Sequence, residues 1–247
     1  MNACQDGFLV DDSLTDAVAK DLAKFNTVLS RLRARRVEAI SISGPLLRSK
    51  IAWKIATYQQ PVLYRVVMLA AGCASNWNDR NVLCACLAAR ALMETVALLL
   101  EFDGQLQALM EQKNLGGIDG LLTNKAFATK SQKLIDELPN VQAKSILTTL
   151  QNMDKRLLPG LWEHYCFLSE RCHPNNLGHY QLFGVRNRQT NVITYSDYNH
   201  IEMHLDYVLA GAMLIEFVEP CMDRLDAAIL QVSELHHGVA PLAENWE

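Results

Sequence analysis

The sequence predicts an all-α protein, a single multi-helix bundle over residues 1–247 with its core at roughly 13–237 and peripheral termini. Apolar residues recur at three- and four-residue intervals through most of the chain. Gly and Pro are sparse, at 12 and 7 of 247 residues, so little of the chain is linker. Between Asn81 and Leu100 the chain is almost wholly apolar apart from Arg90 and Glu94, which marks a helix inside the core.

Ser13 or Thr15 is placed to cap a first helix running to about Arg36, with Leu14, Val18, Leu22, Phe25, Leu29 and Leu32 near helical spacing. Its end carries Arg31, Arg33, Arg35 and Arg36, which suit the negative end of the helix dipole and read as a solvated face or a phosphate patch. Gly44-Pro45 opens a second helix to about Tyr58, and Gln60-Pro61 a third to about Cys73, since proline is favoured in a first turn. Ser75–Asp79 forms a turn and cap, and the apolar helix then runs to about Phe102. A short helix over Asp103–Asn114 is expected to close at Gly116-Gly117. One or two short helices fill 118–138, and Asn140–Leu158 is amphipathic through Val141, Ile146, Leu150 and Met153. Pro159-Gly160 opens the helix carrying Trp162, Tyr165, Phe167 and Leu168. Two apolar and aromatic runs, Tyr180–Val185 and Val192–Tyr195, flank a polar turn and predict either a small β-hairpin within 180–195 or a long extended loop. Ser196 or Asp197 caps a final helix to about His237, kinked or divided at Pro220.

Composition narrows the function classes. The net charge of −4 supplies no general field for nucleic acid or an anionic membrane. Seven cysteines with no regular framework, and no targeting segment at Met1–Asp6, predict reduced thiols and a cytoplasmic protein. The apolar run Asn81–Leu100 has the length of a membrane span, but Arg90 and Glu94 at its centre would each cost roughly 2.5–3.5 kcal/mol there. No membrane partner is therefore expected. No Walker loop, dinucleotide fingerprint or nucleophile elbow occurs, and no cofactor is expected. His200 and His204 have the spacing of two ligands on one helix face, but His-Ile-Glu-Met-His lacks the zinc-protease arrangement and no third ligand is signalled. No metal is expected.

Two elements carry the candidate chemistry. Arg90 and Glu94 share one face of the apolar helix and need partners, because a buried pair without further hydrogen bonds loses more in desolvation than attraction returns. The second element is Ser169-Glu170-Arg171-Cys172-His173-Pro174-Asn175-Asn176-Leu177-Gly178-His179. Pro174 disfavours helix at His173, so the imidazole is placed at a helix end, within reach of Glu94 or Glu170. The expected ligand-binding set is Arg90, Glu94, Glu170, His173 and Asn175.

The Arg-Ala-Leu-Met-Glu element at 90–94, followed by Tyr165, Leu168-Ser169-Glu170, His173-Pro174-Asn175 and Gly178, resembles a group of bacterial all-helical proteins related to HEPN domains (higher eukaryotes and prokaryotes nucleotide-binding). The matching motifs are two short segments, and the helix pattern extends over 60–235. The resemblance implies an HEPN-like bundle, a homodimer, and RNA or a nucleotide-like molecule as ligand. HEPN ribonucleases use an Arg and a His at a set spacing. Here Arg171 and His179 enclose seven residues and Arg171 and His173 enclose one, the first longer and the second shorter than that pattern.

Three functions follow as expectations. The first is a binding or regulatory protein whose polar centre recognises a small polar or nucleotide-like ligand, or a protein partner. The second is a metal-independent ribonuclease with His173 or His179 as general base on a ribose 2′-hydroxyl and Arg171 stabilising phosphate charge. The third is a helical assembly protein whose buried charges are structural. An open convergence of Arg90, Glu94, Arg171 and His173 favours the first two, and a sealed network favours the third.

Overall fold

Thr15 starts the helical part of the chain. Its hydroxyl accepts a hydrogen bond from Val18 N at 3.4 Å and caps α1 (Asp16–Ala34), with Asp16 in the first turn and Arg31 and Arg33 in the last. A computed structural model of the protein describes residues 7–10, 14–139, 142–143, 145–197 and 202–239. Ser13, Val141 and His200 lie outside the described residues.

Helices follow in the order α2 (Pro45–Arg48), α3 (Lys50–Asn78), α4 (Val82–Glu111), α5 (Leu115–Ala126), α6 (Gln132–Glu137), α7 (Ile146–Arg156), α8 (Leu161–Cys172) and α9 (Tyr180–Phe183). Strands β1 (Gly184–Asn187) and β2 (Val192–Tyr195) form an antiparallel hairpin. Then come α10 (Glu202–Ala212), a 3₁₀ turn over Met213–Phe217, and α11 (Val218–Val239). The protein is all-α with one small hairpin, the predicted class.

Several helix boundaries differ from the sequence expectation, and the helix expected from Gly44-Pro45 to Tyr58 is divided at Ser49 into α2 and the start of α3. Pro61 starts no helix; α3 runs through it. The ring sits at an exposed position, while Ile51, Ala52 and Ile55 before it and Leu63, Val66 and Val67 after it are buried. Burial of that continuous face outweighs the cost of about 3 kcal/mol for an interior proline. Asp103 starts no helix either and lies inside α4. Gly116-Gly117 sits in the first turn of α5, where Asn114 Oδ1 accepts from Gly117 N at 2.8 Å, rather than closing the preceding helix. The last helical run is divided at Met213–Phe217, and Pro220 falls in the first turn of α11, where a missing N–H costs little.

The chain forms two compact units. One comprises residues 1–35, 64–97 and 146–217; the other comprises 36–63, 98–145 and 218–247.

In the first unit, Phe8 packs edge-on to Phe25, ring centroids 4.8 Å apart, and α1 lies on the 3₁₀ turn with Lys24 paired to Glu216. Small residues let α4 approach its neighbours closely: Ala85, Cys86, Ala89 and Ala97 are fully buried. A Cβ added at Gly211 of α10 would stand 3.1 Å from both Cβ and O of Ala89. α8 packs on α7 and α10.

In the second unit, Tyr58 tilts against Phe102 at 4.4 Å, and Ile55, Leu99, Leu106, Ile118, Leu225 and Val232 are buried. Polar ties join its segments. Lys54 pairs with Asp119 at 2.5 Å, Lys125 with Glu101 at 2.6 Å, and Gln59 Nε2 donates to Asp226 at 2.7 Å. Buried Ser49 caps α3 by accepting from Ala52 N at 3.1 Å, and its hydroxyl meets His236 Nδ1 at 2.6 Å.

α4 is long and apolar enough by composition to cross a membrane, and 56% of its most apolar window is buried inside the protein. The cysteines among the described residues are free thiols.

Candidate functional site

α8 meets its surroundings through two faces. Leu161, Tyr165 and Leu168 are buried at helical spacing, and His164, Phe167 and Arg171 lie on the side toward α10. Each face carries one polar cluster.

On the first face, Tyr165 is the partner of the α4 charges. Its hydroxyl donates to Glu94 Oε1 at 2.9 Å and accepts from Arg90 Nη2 at 3.4 Å. Arg90 Nε lies 3.3 Å from Glu94 Oε1, but off the N–H direction, so this buried nitrogen has no aligned acceptor. The guanidinium carbon is 5.5 Å from the Tyr165 ring centroid, and Trp162 stacks on Tyr165 at 5.7 Å and 24°. The side chains of Arg90 and Glu94 keep 25% and 28% of their surface, so the cluster is half-buried rather than sealed.

The electrostatics follow from that geometry. Burial pulls the Arg90 guanidinium down, but the Tyr165 hydrogen bond and the charges of Tyr165, Glu94 and Cys172 outweigh it and leave Arg90 above its ordinary value. Burial pushes the Tyr165 phenol up; the Arg90 hydrogen bond opposes this and the Glu94 carboxylate reinforces it. Tyr165 therefore stays a protonated donor and Arg90 a cation. Burial also raises the Cys172 thiol, against the pull of Arg90, and pushes Cys86 up to about 12. Neither is an activated thiolate.

On the second face, Arg171 lies over the Phe167 ring at 3.5 Å, and Phe167 stacks on Tyr207 of α10 at 3.4 Å and 3°. His204, buried, meets the edge of Phe167 at 5.7 Å. Burial pulls the Arg171 guanidinium below its ordinary value, and the charges of Cys86, Tyr207 and Glu170 act the other way.

The remaining expected site residues form a loop of their own. Asn175 Nδ2 donates to Glu170 Oε2 at 2.7 Å, and Asn175 Oδ1 accepts from Leu177 N and Gly178 N at 2.9 Å each. His173 is exposed and extended at the end of α8, and His179 is exposed at the start of α9. Glu94 thus receives its hydrogen bond from Tyr165, not from His173. The structure brings Arg90 to Glu94, and Glu170 to Asn175, as two separate groups. His204 faces the α8 aromatics, and among the described residues no three His, Cys, Asp or Glu are placed to hold a metal.

Sequence reasoning missed Tyr165 as the link. The available signal was a phenol on a buried helix face, which needs a hydrogen-bond partner. It also missed an ionic centre in the second unit, built on a buried carboxylate. Asp103, 5% exposed, accepts from Arg224 Nε at 2.8 Å and Nη2 at 2.6 Å, and from Gln107 at 3.3 Å. Cys221 Sγ lies 3.6 Å from Asp103 Oδ2, and burial with the Asp103 charge pushes that thiol up to about 12.

Comparison with protein-family models, curated proteins and solved structures yields no match to this chain.

Proposed function

We propose that this chain is a helical binding protein whose α4–α8 cluster recognises a small nucleotide-like ligand. One observation carries the reading: Arg90 Nε is buried without an aligned acceptor, on a side chain that keeps a quarter of its surface. A guanidinium offers five donors in a planar fork suited to phosphate or carboxylate oxygen. Beside it Trp162, half-buried and stacked on the buried Tyr165, offers an aromatic face of the kind that holds a base. Glu94, whose side chain keeps 28% of its surface, supplies an acceptor for ribose or base edges.

Adenosine and guanosine monophosphates, ribose 5-phosphate and inorganic phosphate are the probes for a calorimetric and thermal-unfolding titration. A nucleoside monophosphate is expected to raise the unfolding temperature of the wild type, by about 2.7 kcal/mol of stabilisation at a hundredfold excess over Kd. Arg90→Gln, which keeps hydrogen-bonding capacity but removes the charge, is expected to lose that response. No response from any probe, or an equal one in the variant, would sink the proposal.

The ribonuclease reading draws less support. Its arginine is stacked on Phe167, and its two histidines are exposed, one at the end of α8 and one at the start of α9. A positioned general base contributes about 10²–10⁴-fold in rate. Clean wild-type protein is expected to cut single-stranded RNA no faster than the His173→Ala/His179→Ala variant. Histidine-dependent cleavage in that comparison would reverse the order of the two readings.

A further inference from the structure

The β1–β2 hairpin exposes every residue of β2. Tyr195 keeps 71% of its surface, Val192 52% and Ile193 39%. It is a sheet of two strands, an arrangement marginal in water unless something adds to it. β2 carries no lysine, proline or bulge of the sort that protects an edge, and no charge at all over Val192–Tyr195.

The phase of the ladder identifies the open groups. Gly184 pairs with Tyr195, Val185 with Thr194, Arg186 with Ile193 and Asn187 with Val192. Ser196 N donates to Phe183 O at 2.9 Å, and hydrogen-bonded pairs alternate along an antiparallel ladder. Val192 and Thr194 therefore turn their N–H and C=O groups toward β1. Ile193 and Tyr195 turn theirs outward, where among the described residues no other strand meets them.

We infer that β2 is a dimerisation edge, which pairs antiparallel with β2 of a second copy across a two-fold axis to make a four-stranded sheet. Backbone phase admits only registers that set outward residues opposite outward residues. In the register centred on Thr194, Ile193 of each copy lies beside Tyr195 of the other. Both reciprocal pairs are β-branched against aromatic, the favoured cross-strand combination, and both cover exposed apolar surface. Asn191 of one copy, which accepts from Arg186 Nη2 at 3.2 Å, faces Asp197 of the other, so charge is complementary at both ends of the paired strands, while the uncharged centre Val192–Tyr195 has nothing to repel itself. A two-fold contact of one edge with itself closes at two copies.

Solution mass and a cross-link test this. Sedimentation equilibrium of the wild type is expected to show a concentration-dependent dimer, and Ile193→Lys a monomer with the same helical circular dichroism. In Thr194→Cys the two thiols would face each other at the axis, about 4.5 Å apart between Cα atoms, a non-hydrogen-bonded pair. Mild oxidation with diamide is expected to convert that variant to a covalent dimer, with none from wild type treated alike. A wild type that stays monomeric, an Ile193→Lys dimer as tight as wild type, association beyond two copies, or no cross-link through Thr194→Cys would each overturn the inference. The cross-link decides alone if the lysine variant fails to fold.

Discussion

Arg224→Leu is expected to destabilise the second unit by roughly 3 kcal/mol, the low end of the range for stripping one partner from a buried ion pair. Asp103 makes that expectation asymmetric. Its side chain keeps 7% of its surface and would be left charged without a cation, whereas the Arg224 side chain keeps 44% and can turn to water. Asp103→Leu should therefore cost less, on the order of 1 kcal/mol, because it removes the group that cannot be solvated. The Asp103→Leu/Arg224→Leu double variant should recover most of the loss of Arg224→Leu alone, since two apolar side chains leave no buried charge. Urea unfolding of the four proteins checks the order. If Asp103→Leu were the more damaging single change, the buried-carboxylate account of this centre would be wrong.

That centre also shows where sequence reasoning stops. The helices were legible because their apolar spacing is local: Leu22, Phe25, Leu29 and Leu32 were expected on one face of α1 and are buried there. The second strand of the hairpin was legible as the apolar run Val192–Tyr195, but the first was placed too early: Tyr180–Phe183 is helical, and Arg186 and Asn187, expected in the turn, pair in β1. Asp103 was read as a helix start, the position where an acid is favoured by local energetics. Its real stabilisation comes from Arg224, 121 residues away, and no local rule reports that. Pro61 shows the same limit, since its local cost is overruled by a buried face that continues on either side. In the candidate site, the spacing of Arg90 and Glu94 was enough to demand a partner. Which partner depends on the face α8 turns to α4. An imidazole at a helix end pointed to His173, although Tyr165, about two helical turns earlier on α8, makes the bond. The Glu170–Asn175 contact, being five residues apart, stayed within reach of local reasoning.

Gly178→Ala is expected to undo the His173–Pro174–Asn175 loop, while Gly104→Ala leaves the protein as stable or slightly more so. The two glycines differ in what a methyl group would meet. At Gly178 the added Cβ would stand 2.0 Å from the His173 carbonyl oxygen and 2.8 Å from that of Arg171, and backbone oxygen cannot swing aside as a long side chain can. The loop must open, giving up the bonds from Leu177 N and Gly178 N to Asn175 Oδ1 and from His179 N to Asn175 O. At about 1 kcal/mol per bond the local cost is about 3 kcal/mol. Gly104 lies inside α4 with nothing within 4 Å of the new atom, so alanine there adds helix propensity worth up to about 1 kcal/mol. Amide hydrogen exchange separates local from global effects. In Gly178→Ala the amides of Leu177, Gly178 and His179 should lose protection while Phe167 and Leu168 inside α8 keep theirs, because the helix does not depend on the loop for its own bonds. Retained protection at 177–179 would show that the loop accepts a Cβ, and the close approach of Gly178 to His173 would then not be what holds it.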